Sequence, residues 1–239
     1  MRAQAARRPA DHPTDSTRSA PAMTSTTRLL LVRHGQSQAA NDGIIAGPVG
    51  CTGLSDAGRL QAARLAERLA GERLQADVLL ASPLRRAAQT AELVGTRLRM
   101  PVRTDAGLEE LRPGAADGLT RADFRTRYGD FDMVAEPQRP LAPGGESWSQ
   151  FRRRVDQTIQ RLAEELRGRM VLAVCHGGFI VVSMVVLLDL PRPGNQTHLA
   201  PALTSLTEWS HDGERWTLER YNDHAHLTAT QADAQLHRS

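Results

Sequence analysis

The sequence predicts a single α/β domain built on a largely parallel sheet, and three observations carry that expectation. Short apolar runs (29–32, 77–81, 170–175) alternate with longer segments of helical period. Two of those runs break off into a histidine and a glycine, as Arg33-His34-Gly35 and as His176-Gly177-Gly178. The carboxyl end of a strand is where open α/β sheets place their ligands. A length of 239 residues suits one domain with ample material for a core.

In chain order, residues 1–26 are rich in Ala, Pro, Ser, Thr and Arg without periodicity, which predicts a disordered tail, with Met23 as an alternative start. The domain is expected over 27–228, and 229–239 form a second tail. Leu29–Val32 is the first strand. Asn41–Gly53 is a Gly-rich loop leaving its end. Ser55 or Asp56 caps a helix that runs to about Ala70 and buries Ala62, Leu65, Ala66 and Leu69. Asp77–Ala81 is a strand, and Ser82-Pro83 opens a helix with the proline near its first turn. Pro101–Arg103 reads as a short strand. Residues 108–145 are polar, irregular and punctuated by Pro113, Pro137, Pro140 and Pro143. Trp148, Phe151, Val155, Ile159, Leu162 and Leu166 then recur at helical spacing, a core-facing stripe. Met170–Cys175 is a buried strand, a hydrophobic helix follows to Leu188, and strands near 203–209 and 216–221 close the domain.

Composition excludes several classes. Hydrophobic residues make up 40% and charged residues 24%, the balance of a globular protein without a membrane span. The longest apolar run, Phe179–Leu188, is too short to cross a bilayer and is interrupted by Ser183. All 30 basic residues are arginine, yet the formal charge is only +3, and the N-terminal tail holds +2 of it (four Arg, two Asp). With aromatics at 4% and no basic face, nucleic acid is not an expected partner. Cys51 and Cys175 form neither a disulfide framework nor a metal-type spacing, so the expected setting is cytoplasmic, with no metal and no cofactor. The N-terminus lacks the apolar segment of a signal peptide.

Neither histidine would stand out alone, since a strand-end histidine is ordinarily structural. Adjacent parallel strands change this, because they would set both imidazoles at one rim, with Arg86 joining from the first turn after a third strand. Two arginines and two histidines at one point repel unless an anion fills the space. A phosphate fits, because its oxygens match the guanidinium fork and the helix N-termini beyond the strand ends would add backbone donors. A histidine among cations has a lowered pKa and a nucleophilic nitrogen, able to take a phosphoryl group and release it to water. Glu109 and Glu110 are the carboxyls at hand to protonate a leaving alkoxide.

These residues resemble the histidine phosphatase superfamily, in the branch that includes cofactor-dependent phosphoglycerate mutases and their phosphatase relatives. The resemblance rests on Leu31-Val32-Arg33-His34-Gly35-Gln36-Ser37, Leu54-Ser55 with Gly58, and Ser82-Pro83-Leu84-Arg85-Arg86-Ala87 with Gln89-Thr90. It continues through Glu110, Pro143-Gly144-Gly145-Glu146-Ser147 and Cys175-His176-Gly177-Gly178, in family order. It implies a three-layer α/β/α sandwich with a mostly parallel central sheet. It implies His34 as the phosphorylated nucleophile, Arg33, Arg86 and His176 as the phosphate pocket, Glu110 rather than Glu109 as proton donor, and Ser37 lining the site. Asn41 is assigned to phosphate one residue late, because Ala40 stands where many relatives have asparagine.

Two further departures bear on the substrate. Ala116-Asp117-Gly118 replaces a common Trp-Glu-Gly, and Pro113 follows Glu110 closely. The mutases carry a longer insertion and an Arg-His-Tyr-Gly run after the acid. Here Leu111-Arg112-Pro113-Gly114 follows, so a phosphatase acting on a small phosphorylated metabolite is expected. Mutase-type transfer and a non-catalytic phospho-ligand binder are the alternatives. Arg112, Arg121, Arg125 and Arg127, with Phe124 and Tyr128, read either as a lid over an anionic substrate or as a solvated helix face. A homodimer is left open.

Overall fold

The structure is a computed structural model, and it describes residues 26–190 and 198–228. Six strands form one sheet in the order β3-β2-β4-β1-β5-β6. They are β1 Thr27–Arg33, β2 Val78–Ala81, β3 Val102–Thr104, β4 Met170–Cys175, β5 Leu206–His211 and β6 Trp216–Asp223. The first four in spatial order run parallel, and β5 and β6 pair antiparallel on the β1 side. The expected mostly parallel α/β/α sandwich is therefore what forms. The predicted tails, residues 1–25 of the first and 229–239 of the second, lie outside the described residues.

Side-chain alternation along the strands builds both layers. Leu30, Val32, Leu79, Ala81, Leu172 and Val174 face α2 (Asp56–Gly71) and α3 (Arg85–Leu98). Leu29, Leu31, Leu80, Val171, Ala173, Cys175 and Trp209 face α5 (Trp148–Glu165) and α6 (Gly177–Leu187). The predicted stripe on α5 packs there through Phe151, Val155, Ile159 and Leu162. Ser147 starts that helix with a full capping box to Gln150. Among the described residues, no helix is long and apolar enough to cross a membrane.

Four local expectations change. Gln38–Asn41 forms a short helix, α1, capped by Ser37, ahead of the Gly-rich loop. The region read as irregular holds α4 (Arg121–Tyr128), capped by Thr120, so the helix-face reading of its arginines has a helix beneath it. Ser82-Pro83 lies just ahead of α3 and does not open it, because Leu84 is the extended N-cap residue. The first late strand begins at Leu206, since Thr204 takes a left-handed φ of 56° that no strand accommodates.

Candidate active site

Register delivers the two histidines. In the β1–β4 ladder Arg33 lies opposite Cys175, so both strands stop at the same level, and the His34 amide donates to the Cys175 carbonyl at 3.0 Å. The imidazoles meet edge to face with centroids 5.0 Å apart. On the other flank of β4, β2 ends so that Ser82 Oγ reaches His176 Nε2 at 2.8 Å. Arg86, in the first turn of α3, donates its Nε to His34 Nε2 at 3.0 Å and its Nη1 to the Ala46 carbonyl at 2.9 Å.

That network assigns the tautomer of His34. Its Nδ1 is 2.6 Å from the Gly35 carbonyl, which can only accept, so Nδ1 carries the proton. Nε2 is then left with a lone pair, the form suited to nucleophilic attack. Burial first, and the Arg86 guanidinium second, hold the His34 pKa well below its ordinary value. Burial leads at His176 too, followed by Arg86 and His34 itself. The sequence argument credited neighbouring cations, and the structure ranks them behind desolvation.

Arg33 donates Nη1 to the Pro201 carbonyl, while its buried Nε and His176 Nδ1 have no hydrogen-bond partner among the described residues. Buried polar atoms are rarely left so. The His176 ring packs against His34, and Arg33 lines the same cavity as His34.

Glu110 and Glu109 part ways. Glu110 lines the cavity above His34, accepting from the Gly178 amide on Oε2 at 3.0 Å and from its own neighbour Leu111 on Oε1 at 3.1 Å. Glu109 turns away to Arg112 at 2.6 Å. The glycine pair after His176 has a steric reason. A Cβ on Gly178 would lie 2.1 Å from Glu110 Oε1, and one on Gly177 would lie 3.2 Å from Arg33 Nε. One sequence expectation is corrected here. Two of the helix-start amides are already used, Gly178 by Glu110 and Arg86 by the Cys51 sulfur at 3.4 Å.

The cavity measures about 520 Å³. Arg33, His34, Ser37 and Arg86 line it, with Ile44, Ile45 and Ala46 along one wall and Arg121, Phe124 and Arg125 of α4 also lining it. Ser37 is buried and caps α1. His176 lies fully buried against His34 and does not line the cavity itself. Asn41 is also outside the cavity, and unlike His176 its side chain meets no other assigned residue. It ends α1 exposed, with its amide 3.4 Å from Gln36 Oε1, and Ala40 takes the lining position. The four-residue helix sets this, because it fixes which residue of 38–41 faces inward.

Two contributors were missed. Asp117 accepts from the amides of Gly47, Val49 and Gly50, each at 2.8 Å, and so folds the loop whose Ala46 carbonyl holds Arg86. Its signal was the Ala116-Asp117-Gly118 departure, read only as a substrate feature. Arg154 lies on α5 with its side chain turned to the Glu110 segment, and no motif had drawn attention to it.

The comparisons with known proteins agree with this geometry. A family model described as histidine phosphatase superfamily (branch 1) matches residues 29–224. The chain is 30% identical over 207 residues to phosphoglycerate mutase-like protein 4 of Arabidopsis thaliana, covering 84% of this chain and 87% of that one. It is 37% identical over 133 residues to a 2,3-bisphosphoglycerate-dependent phosphoglycerate mutase of Mycobacterium tuberculosis, 52% of this chain and 53% of the mutase. The solved structure of a mycobacterial glucosyl-3-phosphoglycerate phosphatase complexed with VO3 superposes with a TM-score of 0.68 at 32% identity, covering 82% of this chain and 98% of that one. The chain belongs to the histidine phosphatase superfamily, and with phosphatases as its structural neighbours it is a phosphoric monoester hydrolase.

Proposed function

We propose that this histidine phosphatase hydrolyses small, anionic phosphomonoesters through a phosphohistidine on His34. The observation that carries the reading is the His34 ring. Its Nδ1 proton is held by Gly35, and its Nε2 lone pair faces Arg86 at the cavity base. In the first step Nε2 forms a bond to phosphorus as the ester P–O bond breaks, and the Glu110 carboxyl gives its proton to the departing oxygen. Arg33, Arg86 and His176 stabilise the three equatorial oxygens. In the second step Glu110 takes a proton from water as the water oxygen attacks phosphorus, which frees His34 and phosphate.

The cavity is several times larger than a phosphoryl group, so a substrate body must occupy the rest. Arg121 and Arg125, one turn apart on α4, line it with guanidinium groups that make no hydrogen bond or ion pair among the described residues. With Arg33 and Arg86 they outnumber the carboxylates that line the cavity, Glu110 and Asp130, and so favour a body that is itself anionic. A phosphatase is favoured over a mutase because the chain superposes on a solved phosphatase over 82% of its own length and 98% of that chain's. The two free, buried cysteines suit a reducing compartment, as the cytoplasm is.

The test is phosphate release with EDTA present, on p-nitrophenyl phosphate, O-phosphoserine, glycerol phosphate and 3-phosphoglycerate, for wild type and His34→Ala. We expect activity that survives chelation and falls at least about 10⁴-fold in the variant. Undiminished turnover in His34→Ala overturns the nucleophile. Isomerisation of 3-phosphoglycerate without net release selects the mutase, and binding without turnover selects the non-catalytic reading.

A further inference from the structure

Arg154 uses its whole guanidinium. Nε and Nη2 form a bidentate pair with Glu146 at 2.7 and 2.6 Å. Nη1 donates to the carbonyls of Gly107 and Glu109 at 2.8 and 2.9 Å, and Nη2 also donates to the carbonyl of Glu110 at 3.0 Å. A guanidinium has five N–H groups, and five acceptors surround this one. Both partners of the ion pair are nearly covered, at 13% and 12% side-chain exposure. Glu146 Oε2 reaches on to the Arg112 amide at 3.0 Å, so the pair grips the chain on both sides of Glu110. Burial works to raise the Glu146 carboxyl, but hydrogen bonds from Arg154 and the Arg112 amide override it and hold it below its ordinary value.

So large a polar anchor is more than this segment needs for packing. Residues 109–113 have no regular structure, and they carry Glu110, which lines the cavity with His34. Leu108, fully buried, already anchors the preceding turn in the core. What Leu108 cannot do is fix the direction in which Glu110 leaves the chain. Three successive grips on the carbonyls of 107, 109 and 110 do so, and they deliver the carboxylate to the Gly178 amide beside Arg33.

We infer that Arg154, held by Glu146, is a positioning residue for Glu110, and that its contribution to rate depends on how much proton the leaving group needs. The inference rests on the reading of Glu110 as proton donor. Transfer of a proton to an alkoxide contributes about 10²–10⁴-fold, and a displacement of the order of 1 Å forfeits much of it. A p-nitrophenolate leaves with little help.

The experiment compares kcat/KM, which reports the step that forms the phosphoenzyme. The esters are p-nitrophenyl phosphate and the most active alkyl ester of the panel above, assayed with wild type, Arg154→Lys, Arg154→Gln and Glu110→Gln. Inhibition by inorganic phosphate monitors the pocket beneath. Lysine keeps the charge but has three donors where five are used. We expect the Arg154 variants to lose about 10- to 100-fold on the alkyl ester and less than about threefold on the aryl ester. Their phosphate inhibition constant should be unchanged. In the Glu110→Gln background, adding Arg154→Lys should cost nothing further on the alkyl ester. If Glu110→Gln is selective for the alkyl ester but the Arg154 variants lose equally on both, or lose nothing, the positioning role fails alone. If Glu110→Gln itself loses equally on both, the proton-donor reading fails and takes the inference with it.

Discussion

Arginine does contrasting work in two regions of this molecule. At the β5–β6 side of the sheet, Glu208 is buried and receives both Arg28 and Arg220, while Asp223 receives Arg68 through two bonds of 2.8 and 2.6 Å. Each cation there meets a carboxylate. At the ends of β1, β2 and β4, Arg33 and Arg86 meet carbonyl oxygens and a neutral imidazole, and the nearest acid, Glu110, is turned to backbone amides. Arg86 is only 5% exposed. A buried cation without a carboxylate is costly, and a fold retains one where a ligand will supply the missing charge. Paired arginines tie β1, β5 and β6 together and, through Arg68, secure the closing strand onto α2. Unpaired ones keep their field for an anion.

Replacing Arg86 should separate the two regions most sharply. Arg86→Gln is expected to lower kcat/KM about 10²–10³-fold, with a urea midpoint equal to or above that of wild type. A large drop in midpoint with little kinetic effect would erase the contrast, since Arg86 would then be a structural cation like Arg68.

Glu208→Gln is the reverse experiment. It strands Arg28, leaves Arg220 only Asp223 at 3.4 Å, and should cost about 1–3 kcal/mol of stability, below the range for fully buried pairs because Arg28 is half exposed. Its kcat/KM should stay at the wild-type value. Equilibrium denaturation and a standard assay decide the matter, and a kinetic defect would show that the edge reaches the pocket.

The smallest effect is one of pH, and its sign follows from linkage. His34 and His176 are held neutral well below an unfolded histidine value of about 6.5. Below that pH the unfolded chain binds more protons than the folded one, so stability falls as pH drops through the window. Asp223 is held low by Arg68, so its contribution is lost only in a more acidic range. Between pH 7 and 5 the pocket therefore dominates, with His226, lowered to about 4 mainly by burial, adding to it. His34→Ala should gain stability relative to wild type as pH is lowered from 7 to 5. Parallel stability curves would refute the neutral, buried histidine.

Much of this was legible in the sequence. The apolar runs gave strands and the α5 stripe gave its helix, because burial on one face imposes a period that a linear reading detects. Arg33, His34, Arg86 and His176 were identifiable since each follows directly from a strand end or a first helical turn. Asn41 was misplaced because sequence does not reveal that 38–41 winds into a helix, and one residue of phase decides whether a side chain faces the cavity. Asp117 was seen and misread, because its partners lie some 70 positions earlier in the chain.

By itself, the sequence determined the alternation of elements, the buried stripe of α5 and which groups gather at the strand ends, since these depend on local periodicity and on residues adjacent to strand ends. Tertiary structure alone decided which nitrogen of His34 is unprotonated, which of two neighbouring glutamates lines the cavity, and that Arg154 and Asp117 hold Glu110 and Arg86 in place. Those outcomes depend on hydrogen-bond partners distant along the chain, and only the folded sheet brings such groups within 3 Å of one another.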